Sequence, residues 1–485
     1  MRLSTLIWSS FLQTCLASHA QRHIGKNVSI PTVKITVDKG THFQVIDGFG
    51  VSEAFQRSAQ MHGKAGLSPS SQRKALDFLF SDEVGAGFTI LRNGIGSSTS
   101  YTLDFMKSIA PTDPGGPNST ANYEWDGDDG SQVWLTKEAL KYGVQYVYAD
   151  AWSAPGYMKS NGNDTNGGSI CGVIGTSCTS GDWRQAYANY LVQYLRFYKE
   201  KEGIAITHLG FLNEPDLNQT YASMQSSGFQ AGDFLTILAP TLKSSGFGDV
   251  KLVCCEATGW NDGEDILAEL QSIPGAEETL SVYSSHGYSS NPALPFKTSI
   301  SRIWQTEWAD LNGRWNVAWD NLGKEGEGIS WANKIQQGLT LSSISGFLYW
   351  IGAETTTVNS ALIRFSNDTI SVSARLWAFA QFSRFVKPGA VRVKAESSVG
   401  YVRVSAFETV GGGLVLNVIN NGHVGVKADV EVLGGKGKGG NVTSWLTNNG
   451  NNLTMGGGFS VTSGGSGGVD FNGMVPGRSM MSFVL

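Results

Sequence analysis

Apolar residues in this chain fall into short runs, separated by stretches in which they recur every third or fourth position. The runs 43–50, 88–92, 144–151, 209–212, 251–255, 280–284, 302–306 and 347–350 lack a regular polar face. Short apolar runs of that kind, closed by turn residues, predict strands buried on both sides. Helical spacing follows most of them, over 70–80, 137–142, 182–202, 229–244, 264–271, 331–341 and 374–386, with Pro240 expected to kink the fourth. Eight strands alternating with helices predict a parallel α/β architecture, and the count fits a (β/α)8 TIM barrel over 41–386. The alternative is a doubly wound sheet. The first run, however, ends Asp47-Gly48-Phe49-Gly50-Val51-Ser52, which is not the glycine fingerprint of a dinucleotide-binding turn.

From 391 the pattern changes to short alternating strands (391–393, 401–404, 414–419, 481–485) between Gly, Asn and Ser turns, which predicts a C-terminal antiparallel β side domain over 387–485. The alternating run 33–37 is expected to pair with it, which adds 21–40 to that domain. The glycine-rich segments 435–440 and 456–468 are expected to be its hairpin turns.

Two predicted strands end in carboxylates. An apolar run stops at Asn213-Glu214-Pro215, where Pro215 cannot extend a ladder, and Thr306-Glu307-Trp308 closes the seventh run. In a (β/α)8 barrel the carboxyl ends of the strands carry the chemistry, so both side chains are expected at one central site. Paired carboxylates without metal-ligand spacing or a Ser/His/Asp set point to glycoside hydrolysis, and a separation of about 5–5.5 Å defines a retaining enzyme. One carboxyl is then a general acid kept protonated by its like-charged neighbour, and the other an ionised nucleophile.

Composition narrows the function further. A formal charge of −5 and a pI near 5.9 give no broad attraction for nucleic acid or anionic membrane. Residues 1–20 read as a secretory signal peptide, and no later stretch reaches the length of a spanning helix, so a secreted, extracellular protein is expected. Cys171 and Cys178 close a short loop and form the preferred disulfide. Cys254 and Cys255 are adjacent on a predicted strand, so their side chains should face opposite ways; they remain thiols or form a vicinal bridge. No Cys/His spacing suits zinc, and no metal or cofactor is expected. Seven sequons, at Asn27, Asn118, Asn163, Asn218, Asn367, Asn441 and Asn452, are available for glycosylation.

Asn213-Glu214-Pro215 on strand four and Gln305-Thr306-Glu307-Trp308 on strand seven resemble the catalytic motifs of glycoside hydrolase family 30. The resemblance covers essentially the whole mature chain. It implies a retaining enzyme with Glu214 as acid/base, Glu307 as nucleophile and Asn213 holding the sugar 2-hydroxyl, and a β-sandwich side domain built from both termini. Within the family, four motifs resemble the fungal xylanase/glucuronoxylanase subgroup (subfamily 7-like). They are the stretch from Asp47 to Arg57, Leu91-Arg92-Asn93-Gly94-Ile95-Gly96-Ser97-Ser98, Ala149-Asp150-Ala151-Trp152-Ser153-Ala154-Pro155-Gly156 and Gly181-Asp182-Trp183-Arg184-Gln185-Ala186-Tyr187.

Members of that subgroup cut β-1,4-xylan; some need a 4-O-methylglucuronic acid branch and some release xylobiose. The resemblance puts Arg57 where the branch carboxylate is read, and a guanidinium fork suits that geometry. Arg92 is expected to steady the nucleophile, His286 and Tyr288 to lie beside it, and Trp152 and Trp350 to serve as sugar platforms. The loop after strand eight, Gly352-Ala353-Glu354-Thr355-Thr356-Thr357, lacks the Tyr/Arg cluster of the bacterial glucuronoxylanases, so branch reading would rest on Arg57. The expected partner is a xylan polysaccharide, bound by a monomer. β-1,6-Glucan or β-1,6-galactan is the alternative substrate, and a non-catalytic carbohydrate-binding protein the alternative class. The long segment 97–130 is expected to decide between internal and chain-end cutting.

Overall fold

The computed structural model describes residues 30–64, 66–101, 105–434, 442–456, 459–463 and 469–485. Eight strands, numbered here in barrel order, run Gly48–Ser52, Ile90–Ile95, Tyr146–Ala151, His208–Gly210, Lys251–Ala257, Leu280–His286, Ile303–Glu307 and Gly346–Glu354. Each pairs in parallel with the next, and the eighth pairs with both the seventh and the first, which closes the barrel. Their apolar runs are buried on both faces. One set of side chains packs against the surrounding helices, and an inner cluster of Ile90, Tyr148, Val253, Val282, Trp304 and Leu348 fills the barrel. That filling makes the interior a packed core, so the chemistry is confined to the open end.

The run 43–50 proves to belong to two elements rather than to one barrel strand. Thr32–Val45 is a single long strand of the second sheet, and the barrel begins only at Gly48. The break is imposed locally. Gly48 has φ 139°, and a Cβ there would meet Thr89 Oγ1 at 2.1 Å. Beside it, buried Asp47 accepts from Trp304 Nε1 at 2.8 Å. The helix Gly228–Ser244 is opened by a Ser227/Gln230 capping box and continues past Pro240.

The second sheet has ten strands. Thr32–Val45 lies between Val391–Ser397, with which it is antiparallel, and Val426–Leu433, with which it is parallel; the remaining ladders of this sheet are antiparallel. Val33, Ile35 and Val37 therefore enter a core with Val430, Phe471 and Phe483. Parts of the glycine-rich segments, residues 435–440, 457–458 and 464–468, lie outside the described residues, as do 1–20, Asn27 and Asn441.

Cys171 and Cys178 are bridged, with Cα atoms 5.5 Å apart. Cys254 and Cys255 form the vicinal bridge, one of the two alternatives, across a cis peptide, and the expectation that their side chains face opposite ways fails. Among the described residues no helix is long and apolar enough to cross a membrane.

Candidate active site

Arg92 sits at the centre of the barrel's open end. It lies on strand two with no exposed surface. Its Nη1 donates to Glu307 Oε2 at 2.6 Å. Its Nη2 faces Asp150 Oδ2 at 2.8 Å, Asn213 Oδ1 at 2.6 Å and Glu256 Oε2 at 3.0 Å. Those acceptors come from strand three, from the turn after strand four and from strands five and seven. A buried guanidinium is tolerated when most of its donors are met, and here three carboxylates and the Asn213 amide take its two terminal nitrogens, while Nε is left without a partner. Burial works to lower its pKa, but Glu256, Asp150 and Glu307 outweigh that and hold it charged.

Glu214 follows strand four in a turn. Its backbone has φ 46°, a conformation uncommon for a side-chain-bearing residue, and its N–H donates to the Glu256 carbonyl at 2.9 Å. Tyr221 donates its hydroxyl to Glu214 Oε2 at 3.1 Å, and His286 Nδ1 lies 3.3 Å from Oε1. Glu307 closes strand seven, where Tyr288 donates to its Oε1 at 3.0 Å. One donor or acceptor atom from each of Glu214, His286 and Glu307 lies within 4.8 Å of the others. The two carboxyl groups are therefore close enough for the retaining geometry, about 5–5.5 Å.

Charge is set by the surroundings. Burial opposes protonation of His286, but Glu307, Glu214 and Glu256 together push it up to about 10, so the imidazole is a cation at neutral pH. Burial works to raise Glu256, but Arg92 and His286, whose Nε2 lies 2.9 Å away, bring it down to about 2. Burial pushes the Glu307 carboxyl up, while His286 and Arg92 pull back toward its ionised form. Asp150 is driven well above the usual range by burial and by Glu256. Glu214, His286 and Glu307 are the one group of metal-type ligands among the described residues. Both His286 ring nitrogens face carboxylates, an arrangement suited to passing protons.

Above Glu214 and Glu307 opens a cavity of about 490 Å³, walled by Phe55, Arg57, Trp152, Tyr221, Tyr288 and Trp350. Of these, Arg57, Trp152, Tyr288 and Trp350 are residues singled out from the sequence. Arg57, the first residue of the helix Arg57–His62, directs Nε to Glu354 Oε2 at 3.0 Å and Nη1 to the Phe55 carbonyl at 2.7 Å. It therefore already has a carboxylate at its fork. Trp152 is buried and its ring lies 4.3 Å from the Arg92 guanidinium carbon, so that contact covers part of it. Trp350 is half-buried, 5.9 Å from Trp152.

Four contributors were missed as site residues: Asp150, Glu256, Tyr148 and Tyr221. Asp150 is a charge inside an apolar run and Glu256 ends strand five, which are readable signals. Tyr148 donates to Glu256 Oε1 at 2.7 Å from the barrel interior. Tyr221 lies in a loop and had no periodic signature.

A model of glycosyl hydrolase family 59 matches residues 67–381. The catalytic domain of GH30 xylanase C from Talaromyces cellulolyticus is 42% identical and superposes with a TM-score of 0.85, over 93% of this chain and 99% of that one. The chain belongs to glycoside hydrolase family 30. Both matches make it a glycosyl hydrolase, and identity over nearly the whole chain decides between them. This family-30 hydrolase is also similar to endo-1,6-beta-D-glucanase BGN16.3 of Trichoderma harzianum, 26% identical over 418 residues, 80% of this chain and 79% of that protein. It is 23% identical to glucuronoxylanase XynC of Bacillus subtilis (strain 168) over 365 residues, 73% of this chain and 77% of the relative.

Proposed function

We propose that this family-30 enzyme is a secreted, monomeric, retaining hydrolase of β-1,4-xylosidic bonds in xylan or glucuronoxylan. The observation that carries the mechanism is the Glu214–Glu307 pair, its side-chain oxygens within 4.8 Å at the floor of an aromatic-walled cavity. The choice of xylan is supported by the 42% identity to a family-30 xylanase. Secretion is supported by the apolar leader in the sequence.

In this reading Glu307 attacks the anomeric carbon while Glu214 gives a proton to the departing glycosidic oxygen. Water then loses a proton to Glu214 and displaces Glu307, so that two inversions leave the configuration retained. Arg92 and Tyr288 orient the attacking carboxylate and accept its change of charge, and the His286 cation balances the charge Glu214 acquires once its proton has gone. Asn213, fixed by Arg92, is assigned to the sugar 2-hydroxyl, and Trp350 with the free part of Trp152 to the sugar faces.

Glu307→Gln is expected to remove turnover on xylan while leaving the circular dichroism spectrum and melting temperature near those of the parent. Substantial remaining activity would sink the assignment. The Trichoderma relative favours a second substrate, β-1,6-glucan, on the same machinery. A panel of xylan, β-1,6-glucan and β-1,6-galactan with product analysis separates them.

A further inference from the structure

Among the buried ionisable groups that the reaction above does not use is a lysine. Lys159 follows the single turn Gly156–Met158 in the loop after strand three and is 3% exposed. Its Nζ donates to the Ser223 carbonyl at 2.5 Å and to Ser153 Oγ at 2.9 Å. Among the described residues no carboxylate lies within ion-pairing distance of it, and Asp164 acts on it only through space. Burial pushes this ammonium down to about 7, a cost that an apolar side chain of the same length would not incur. What it holds therefore needs explaining.

Ser223 is fixed from every polar side. Its carbonyl takes Lys159 and, at 3.4 Å, Ser153 Oγ; its N–H donates to the Asp164 carbonyl at 2.9 Å; its hydroxyl accepts the Gln219 N–H at 3.1 Å. The turn 219–223 is thereby pinned to the loop after strand three. Tyr221 lies inside that turn, its ring edge-on to Phe55 at 5.9 Å and its hydroxyl on Glu214 Oε2 at 3.1 Å. A tenth-nanometre shift of the turn would lift that donor off the carboxyl, since hydrogen bonds weaken steeply beyond their normal length.

We propose that Lys159 is a positioning residue for the acid/base step, gripping the Ser223 carbonyl so that Tyr221 keeps its hydroxyl on Glu214. The inference rests on the reading of Glu214 as acid/base. It makes a selective demand: loss of the grip impairs proton donation and spares nucleophilic attack by Glu307.

The test compares unactivated xylooligosaccharides, whose leaving oxygen needs a proton, with dinitrophenyl β-xylobioside, whose leaving group departs without one. For Lys159→Met, kcat/KM on the oligosaccharides is expected to fall about tenfold or more, within the range of acid–base contributions. On the dinitrophenyl glycoside it is expected to stay within about twofold. Tyr221→Phe should show the same selective loss, and the double variant no further loss, because both changes remove one interaction. Equal losses on the two substrates, or none on either, overturn the proposal. Tyr221→Phe keeps the comparison decisive even if Lys159→Met does not fold.

Glu214→Gln separates the two readings. A selective loss there with none in Lys159→Met or Tyr221→Phe defeats this inference alone, whereas an unselective loss in Glu214→Gln defeats the acid/base assignment itself. Should the enzyme prefer β-1,6-glucan, the same comparison is made with gentio-oligosaccharides and dinitrophenyl β-gentiobioside.

Discussion

Arg57 brings a guanidinium to the cavity wall with Glu354 already on its Nε, and Glu354 is itself held by the Ser360 hydroxyl. Glu53 lies behind them, fully buried, its carboxyl raised well above the usual range by burial and accepting the Ala353 N–H at 2.6 Å. A glucuronate branch arriving here would compete with Glu354 for the fork, and a shared fork forfeits part of the bidentate gain. Arg57→Ala is therefore expected to weaken cleavage of glucuronate-branched xylan more than of plain xylooligosaccharides. Glu354→Gln is expected to raise the branched-to-plain ratio of kcat/KM several-fold. Kinetics on matched branched and linear oligosaccharides measure both, and an equal loss on both substrates in Arg57→Ala would refute branch reading. Glu214 and Glu307 were legible because a strand end in a barrel has one destination. The Arg57–Glu354 pair was not, because 297 residues separate its members and nothing local marks the contact.

At the scale of elements, a buried carboxyl is one of the anchors of the long segment after strand two. Tyr194 and Tyr198, on one face of the helix Arg184–Glu202, each donate to Asp129 Oδ2 at 2.6 Å, and Gln132 Nε2 donates to it at 2.9 Å. Burial pushes Asp129 up to about 7, against the pull of the tyrosine donors. The folded state then holds a proton that the unfolded chain releases near 3.9. The resulting stabilisation is fully present below that value and is lost as pH rises through about 7. Asp129→Asn supplies a neutral acceptor at the same place. Its melting temperature is expected to vary less with pH, so that the parent loses ground to the variant between about pH 5 and 8. A constant difference across that range, read by thermal melts, would rule this out. The helix was legible from its 3.6-residue period, and this anchor was not, since an aspartate in a loop looks solvated until two helical tyrosines meet it. The first barrel strand was misread for a related reason: 43–50 is continuous in hydropathy but divided between two sheets at Gly48.

For the whole molecule, the question is whether barrel and second sheet fold as one. The change of texture at 391 coincides with the first C-terminal strand of the sheet, Val391–Ser397, but does not say how the sheet docks. The last helix, Ala374–Ser383, is buried along its whole length and inserts Gln381 between the two layers. The Gln381 amide donates to the Trp445 carbonyl at 3.1 Å and to Thr447 Oγ1 at 2.8 Å. Its backbone carbonyl receives Asn417 Nδ2 at 3.0 Å and Ser482 Oγ at 2.7 Å. Elsewhere along the interface Trp319 Nε1 donates to the Arg478 carbonyl at 2.9 Å and Gln336 Nε2 to the Val404 carbonyl at 3.0 Å. Splitting the layers would expose these groups together with the apolar surface around them, so barrel and sheet are expected to unfold in one calorimetric transition. Gln381→Ala removes the amide bonds to the Trp445 carbonyl and to Thr447 Oγ1, which keeps the Leu453 N–H at 3.2 Å, at a cost of about 1 kcal/mol for each bond lost. The single transition should move to lower temperature without dividing. Two separable transitions in the parent would mean that the sheet is an independent unit, and the interface bonds would then carry no share of the barrel's stability.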